Sequence, residues 1–268
     1  MTRAPLSTSR PVRVVVLLQR LYEAPDRPAP ALLGQCEAAA LATAVRLRDR
    51  LGGTLAAVAM GTDAHPQPEL AAALTAGCDR AVRVHAPDCD RLDYLGMATV
   101  LAAAVRRLGC DLLLCGDTGE NERTGAMGPA LAELLGIAHL SGVLDVNVDG
   151  SAPDGTIVVA HLGGDRIHRF RWPLPAALCL LAPVSAPVPV SAAEADARAD
   201  SEGGADRAGA GAAEVETVDL DQLGLHAQAL AHRRRLLGQT DSDVGSGAIM
   251  VADADDLVSR LVADGMLR

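Results

Sequence analysis

Hydrophobic and polar positions in the first half of the chain alternate between two patterns, one typical of buried strands and one typical of helices. Val12–Leu18 is a β-branched run without polar alternation, as in a strand buried on both faces. Cys36–Leu51 carries apolar residues at helical spacing and ends at Gly52-Gly53. The order then repeats, with strands at 54–60, 80–84 and 111–115 and helices at 69–76, 92–108 and 125–135. Apolar strands that alternate with helices predict a parallel sheet covered on both faces.

The pattern changes after Gly136. Three short strand-like runs follow, separated by pairs of turn residues that are typical of hairpins, at 144–148, 156–161 and 166–171. These runs predict a small antiparallel extension. Ala176–Leu181 is one more apolar strand, and the prolines that follow it end the compact part of the chain. We therefore expect a nucleotide-binding α/β domain over residues 1–190.

The last third of the chain predicts a linker and an arm. Residues 191–213 consist mainly of Ala, Asp, Glu, Gly and Arg without hydrophobic periodicity, so they cannot offset the entropy of ordering and are predicted to be disordered. Short amphipathic segments follow at 215–225, 228–237 and 252–261. We expect residues 214–268 to form a C-terminal arm that packs on a partner subunit. The predicted fold class is a Rossmann-like three-layer α/β/α domain with a parallel sheet, an antiparallel extension and this arm.

Composition narrows the classes of partner. The net charge is -10, and an acidic surface repels phosphate backbones, which argues against nucleic acid. The aromatic share is 1%, too low for base-stacking platforms. The apolar run near the start of the chain ends at Gln19-Arg20, so it is too short for a signal peptide or a membrane span. We expect a cytoplasmic protein.

Side chains that could carry catalysis are not grouped in the sequence. The six cysteines include no CxxC pair and lie near no Cys/His cluster, which favours reduced, buried thiols over a metal site. The histidines are scattered, and the serines lack the GxSxG nucleophile elbow. The sequence therefore predicts no catalytic residues and no metal ligands.

The loop after the fourth predicted strand is the most informative segment. In an open parallel sheet, ligands bind beyond the carboxyl ends of the strands. Gly116–Gly125 contains Gly, Thr and Asn and leads directly into a helix, so it offers backbone NH groups and a positive helix end to a phosphate. It matches neither the GxxxxGK[ST] nor the GxGxxG pattern. The alternative is an ordinary loop in which Thr124 caps the helix.

Several segments, in order and spacing, resemble the beta subunit of electron transfer flavoproteins over nearly the whole chain. The matching segments are Leu18-Gln19-Arg20, Ala44–Arg48, Ala76–Ala81, Cys110–Gly116, Thr124–Ile137, Gly163-Gly164, Pro173–Ala176, Val218–Leu225 and Val251–Val258. The resemblance implies a subunit that pairs with a larger alpha subunit, shares FAD with it, and holds AMP or a second FAD in a site of its own. A dehydrogenase would donate the electrons.

The resemblance also implies which residues hold the cofactor, with Tyr22 near the partner's flavin. The implied residues are Leu17, Tyr22, Gly34, Gln35, Met60, Gly61, Asp117, Thr118, Gly119, Asn121, Thr124 and Gly125. Such a protein is an electron carrier subunit whose redox chemistry belongs to the flavin, which agrees with the lack of catalytic motifs.

Three departures from the family pattern leave alternatives open. Gly34-Gln35 stands where the family usually has Asn-Pro, the Gly116–Gly125 loop is shorter, and residues 191–213 replace the lysine-rich segment that docks the dehydrogenase. The last departure favours a different redox partner, as in specialised actinobacterial pairs of this family. A non-redox adenine-nucleotide sensor or regulatory module and a structural subunit with an empty site are the other hypotheses. The sequence leaves the bound nucleotide, the donor, the acceptor and electron bifurcation undecided.

Overall fold

The computed structural model describes residues 11–19, 33–62, 67–87, 92–119, 124–148, 155–182, 214–226, 230 and 254–263. The strands are β1 Arg13–Leu17, β2 Thr54–Gly61, β3 Arg80–His85, β4 Leu112–Gly116, β5 Ala138–Asn147, β6 Thr156–Gly163, β7 Arg166–Pro173, β8 Ala176–Leu180 and β9 Val215–Asp219. The helices are α1 Gln35–Leu51, α2 Pro68–Thr75, α3 Tyr94–Leu108, α4 Met127–Leu135 and α5 Ala254–Ala263. A short 3-10 helix covers Asp221–Leu223.

The described strands form one sheet in the order β7-β6-β5-β8-β4-β1-β2-β3-β9. In the part β5-β8-β4-β1-β2-β3-β9, every two neighbouring strands are parallel. The pairs β5-β6 and β6-β7 are antiparallel. From β1 the chain moves outward through β2 and β3 and then returns to place β4 on the other side of β1. Strand order therefore reverses between β1 and β4, which is where ligands bind in folds of this class.

Helices cover both faces of the sheet. On one face, α1 and α2 pack through residues such as Leu47 and Leu70 against Val14, Val16 and Leu112. On the other face, α3 and α4 pack through Val105 and Leu131. Alternate residues of each parallel strand enter opposite cores, which explains why these strands show no polar alternation in the sequence. The predicted three-layer α/β/α fold with a parallel sheet is confirmed.

The antiparallel extension is confirmed too, with one difference. The predicted Gly163-Gly164 turn joins β6 to β7, and Gly164 has φ of 65°. The strand predicted at 144–148 begins earlier, at Ala138, and first pairs in parallel with β8 before it pairs with β6. A register shift between Leu140 and Val143 interrupts the pairing with β8, and Val143 pairs with both β8 and β6. Such a bulge hides the alternating pattern that would have marked the first half of β5 as a strand.

The C-terminal third differs from the predicted arm at its start. Val215–Asp219 is the edge strand β9, paired in parallel with β3, so these residues belong to the sheet. The chain divides into a unit of residues 1–233 and a second unit of residues 234–268, which contains α5. The predicted linker at 191–213 lies outside the described residues, as does the predicted helix at 228–237 apart from Leu230. Among the described helices, none has both the length and the apolar character that crossing a membrane requires.

Candidate functional site

A pocket opens at the carboxyl ends of β1, β2 and β4, where strand order reverses. The described residues around it enclose about 120 Å³ that water can enter. Leu17 and Met60 come from the ends of β1 and β2, and Cys115 comes from β4. Tyr94, Met97 and Leu101 of α3 form one wall. The loop from β4 to α4 forms another, with its lining residues Asp117, Gly119, Thr124, Gly125 and Ala126.

Backbone hydrogen bonds fix the start of the loop after β4. Asp117 N donates to Leu180 O at 2.8 Å, and Asp117 Oδ1 accepts a hydrogen bond from Gly142 N at 2.6 Å. The loop is thereby joined to both β8 and β5. Asp117 thus lines the pocket while one oxygen of its carboxylate is bound to β5.

The end of this loop needs a glycine. Gly125 has φ of 62°, a conformation that residues with a side chain rarely adopt, and a Cβ there would lie 3.1 Å from Asp117 O. Thr124 Oγ1 donates to Tyr94 Oη at 2.7 Å and so joins the loop to α3. Thr124, the N-cap in the alternative interpretation of this loop, is not the N-cap residue of α4, which is Ala126, but its Oγ1 accepts a hydrogen bond from Ala126 N at 3.4 Å.

The pocket has an acidic side. Glu37 lies in the first turn of α1, is 5% exposed and lines the pocket. A Cβ at Gly119 would lie 3.0 Å from Gln19 Oε1 and 3.6 Å from Glu37 Oε1, so two acceptor oxygens converge on this glycine. The described part of the lining includes no arginine. A phosphate here would have to be held by backbone NH groups and by the amino end of α4.

The structure brings half of the predicted site residues together. Six of them line the pocket, namely Leu17, Met60, Asp117, Gly119, Thr124 and Gly125. Gly34, Gln35, Gly61 and Thr118 are not among its described lining residues. Gly34 is the N-cap of α1, and the carbonyl of Gly61 accepts a hydrogen bond from Ala86 N. Tyr22 and Asn121 lie outside the described residues.

The wall that α3 provides was not predicted, and neither was the meeting of Gln19 and Glu37 at Gly119. The start of α3 was predicted at residue 92, which already places Tyr94 near the carboxyl edge of the sheet. That placement could have identified Tyr94 as a lining residue. No local pattern indicates that Glu37 and Gln19 meet at Gly119, since this contact depends on how α1 packs against β4.

Sequence analysis also missed a cluster of sulfur and nitrogen atoms at the floor of the pocket. Cys115 on β4 and Cys179 on β8 are registered partners, and their Sγ atoms lie 3.3 Å apart. His139 Nε2 on β5 lies 3.4 Å from Cys179 Sγ and 3.2 Å from Ser141 Oγ. Gly128 of α4 lies over the pair, and a Cβ there would lie 2.1 Å from Cys179 Sγ. The sheet thus brings Cys and His residues together although the sequence contains no local Cys/His motif.

The two thiols of this cluster differ in acidity. A hydrogen bond from Cys115, helped by His139 and Ser141, lowers the pKa of Cys179 to about 6 against the effect of burial. The same hydrogen bond, burial and nearby negative charge raise the pKa of Cys115 well above its usual range. In the part of the chain that the structure describes, no set of three or more His, Cys, Asp or Glu side chains could hold a metal ion.

Comparison with known proteins agrees with this architecture. The family described as "Electron transfer flavoprotein domain" matches residues 29–223. The electron transfer flavoprotein subunit beta of Bacillus subtilis is 32% identical over 113 residues, 42% of this chain and 44% of that protein. Protein FixA of Bradyrhizobium diazoefficiens is 32% identical over 122 residues, 44% of this chain and 42% of that protein.

A third relative is the electron transfer flavoprotein subunit beta of Clostridium acetobutylicum, 31% identical over 123 residues, 45% of this chain and 46% of that protein. The chain spans less than half the length of each of these three relatives. The family match, in contrast, covers eight of the nine described strands and every described lining residue of the pocket except Leu17, Leu18 and Gln19. The chain therefore belongs to the electron transfer flavoprotein family.

Proposed function

We propose that this chain is the beta-type subunit of an electron transfer flavoprotein and holds AMP or FAD in the pocket between β1 and β4. The observation that carries the proposal is the loop that leads from β4 through Gly125 into α4 at the reversal of strand order. A loop that leads into a helix amino end at this edge of a parallel sheet is where phosphates bind in such folds. Both features favour a phosphate-bearing ligand.

The remaining lining supports a nucleoside beside the phosphate. Met60, Met97 and Leu101 offer an apolar wall for a flat base. Gln19 and Glu37 direct acceptor oxygens towards Gly119, where ribose hydroxyl groups could donate to them. A carboxylate repels a phosphate at the same distance, so we assign Glu37 to the sugar and the loop backbone to the phosphate.

The chain would act as a carrier rather than as an enzyme with catalytic residues of its own. FAD, shared with an alpha-type subunit, would accept electrons from a dehydrogenase and pass them on. This transfer requires no catalytic side chain from this chain. The residues of the pocket would position the nucleotide and exclude water from it. We expect this assembly to be cytoplasmic, with a donor suited to the specialised pairs whose docking segment lacks lysines.

Exposed apolar side chains support the proposal that this chain binds a partner subunit. On α5, Leu257, Val258 and Val262 are large hydrophobic residues with exposed fractions of 45–53%. On β6 and β7, the registered pair Leu162 and Ile167 is exposed by 42% and 62%. Soluble proteins seldom leave such groups of apolar residues open to water. We infer that the alpha-type subunit covers one or both of these surfaces.

Co-expression of this chain with an alpha-type subunit tests the proposal. The complex should be purified by gel filtration, and its nucleotides should be released by denaturation and identified by mass spectrometry. We expect a flavin-coloured complex that yields FAD together with AMP or a second FAD. A colourless protein that holds only AMP or ATP would favour the non-redox sensor. A flavin complex with no further nucleotide would favour the structural subunit with an empty site.

A further inference from the structure

The floor of the pocket carries two thiols whose geometry is already close to that of a disulfide. Cys115 and Cys179 are registered partners on adjacent parallel strands, and both side chains belong to the same core cluster. Adjacent strands lie about 4.8 Å apart, and disulfides form between Cα atoms about 4.4–6.8 Å apart. The Sγ atoms, at 3.3 Å, need to approach by little more than 1 Å to reach the roughly 2.05 Å of an S–S bond.

Three features around the pair favour a thiolate. His139 Nε2 lies 3.4 Å from Cys179 Sγ, and Ser141 Oγ lies 3.2 Å from the same nitrogen. The amino end of α4 meets the pair at Gly128, whose missing side chain leaves room for both sulfur atoms. A neighbouring histidine and a helix amino end are the two environments that most often activate cysteine.

Cys78 and Cys110 lack these features, whereas Cys36 lies in the first turn of α1. Burial raises the pKa of both Cys78 and Cys110 to about 12. Reactivity follows the thiolate fraction. The pair should therefore react with an oxidant before Cys78 and Cys110 do.

We propose that Cys115 and Cys179 form a dithiol site that hydrogen peroxide oxidises to a disulfide, with His139 as the group that accepts and returns the proton. The thiolate of the pair attacks one peroxide oxygen, the O–O bond breaks, and the hydroxide takes a proton to leave as water. The sulfenic acid formed then reacts with the second thiol, the S–S bond forms, and a second water leaves. Two thiols and one hydrogen peroxide thus give one disulfide and two waters.

The position of the pair determines how the oxidant reaches it and which part of the pocket the disulfide would affect. Cys115 lines the pocket and is 5% exposed, so peroxide would enter on the side of Cys115, whereas Cys179 is fully buried behind it. Asp117, two residues after Cys115 and just beyond the end of β4, connects the loop to β5 and β8. The disulfide would join β4 to β8 directly below that loop. The proposal does not depend on which nucleotide the pocket holds.

The test uses the full chain, reduced and then freed of reductant without oxygen. One equivalent of hydrogen peroxide is added, remaining thiols are alkylated in denaturant, and tryptic peptides are analysed by mass spectrometry. The chain contains arginines at 107, 123, 171 and 198, so the bridge should join peptide 108–123 to peptide 172–198. Because Cys110 shares a peptide with Cys115, the Cys110→Ser variant makes the assignment unambiguous. We expect the bridge, with Cys36 and Cys78 alkylated.

Variants separate this proposal from general thiol oxidation. Cys179→Ala should abolish the bridge, whereas Cys78→Ala, which removes another buried thiol, should leave its yield unchanged. Measured at pH 5, below the pKa of about 6 of Cys179, His139→Gln should slow bridge formation about tenfold, because a rise of one unit in that pKa lowers the thiolate fraction about tenfold there. Oxidation of Cys110 or Cys78 ahead of the pair, or a pair that stays fully reduced after one equivalent, would overturn the proposal. These two outcomes are measured on chains with the native pair, so they do not depend on whether a pair variant folds.

Discussion

Gly128 lies in the first turn of α4 directly over the sulfur pair, and its replacement by alanine should destabilise the protein. A Cβ there would lie 2.1 Å from Cys179 Sγ and 3.2 Å from Cys115 Sγ. Cys179 has little freedom to turn away, since Cys115 and His139 lie within 3.3 and 3.4 Å of its sulfur atom. Inserting a methyl group into a packed core costs about 1–3 kcal/mol. The helical gain from Gly to Ala offsets about 0.5–1 kcal/mol of this.

The net loss should therefore be about 1–2 kcal/mol in the free energy of unfolding, or roughly 2–8 °C in Tm for a domain of this size. Gly96→Ala is the matched control. Gly96 also lies in the first turn of a helix, α3, but a Cβ there would meet its neighbours at 3.4–3.5 Å, an ordinary contact distance. This control should be neutral or up to about 1 kcal/mol more stable than the native protein.

Thermal and urea unfolding of both variants, followed by circular dichroism, measures the difference. The double variant Gly128→Ala with Cys179→Ala removes the clashing sulfur atom, so it should recover about 1 kcal/mol relative to the sum of the single changes. If Gly128→Ala proves as stable as Gly96→Ala, α4 does not lie on the sulfur pair as described. The packing of α4 beside the pocket would then differ from the one described as well.

Three further predictions concern other parts of the chain. Asp79→Ala should lower the free energy of unfolding by about 2–3 kcal/mol, as measured in urea titrations. The reason is that Asp79 accepts hydrogen bonds from Leu55 N at 2.8 Å and from the buried Arg48 at 2.9 Å. Asp79→Asn can keep the bond from Leu55 N, so it should lose less stability. Because the pKa of Cys179 is lowered to about 6, ultraviolet absorbance of its thiolate should grow as pH rises through 6, and a Cys179→Ala variant should lack this step. Deletion of residues 234–268 should leave the α/β unit folded by circular dichroism but weaken co-purification with an alpha-type subunit, and unchanged pairing would contradict the proposed arm.

The order of strands and helices could be predicted because the parallel strands are buried on both faces. Val14 and Val15 enter opposite cores, so β1 appears in the sequence as a continuous apolar run. The hairpin between β6 and β7 was equally visible, since its turn needs a glycine at positive φ. Elements whose structure is set by local burial and turn chemistry were thus predictable.

Other features depend on contacts between distant segments, and the sequence could not show them. β9 follows a long polar segment, and it completes the sheet only through pairing with β3. Cys115 and Cys179 are far apart in the chain and meet because β8 lies beside β4. The pocket was foreseen at the loop after β4 through a general rule about parallel sheets, but its α3 wall and its acidic oxygens come from helix packing.

The most direct test of the central claim compares two glycines at opposite ends of α4. Gly125 and Gly136 have φ of 62° and 67°, so a valine strains the backbone similarly at both, but only Gly125 lines the pocket, and a Cβ at Gly136 would meet nothing within 4 Å. Each variant is co-expressed with the alpha-type subunit, and its released nucleotides are counted by mass spectrometry. We predict that Gly125→Val loses the AMP or second FAD and that Gly136→Val retains it. A full complement of that nucleotide in Gly125→Val would contradict the assignment of the pocket.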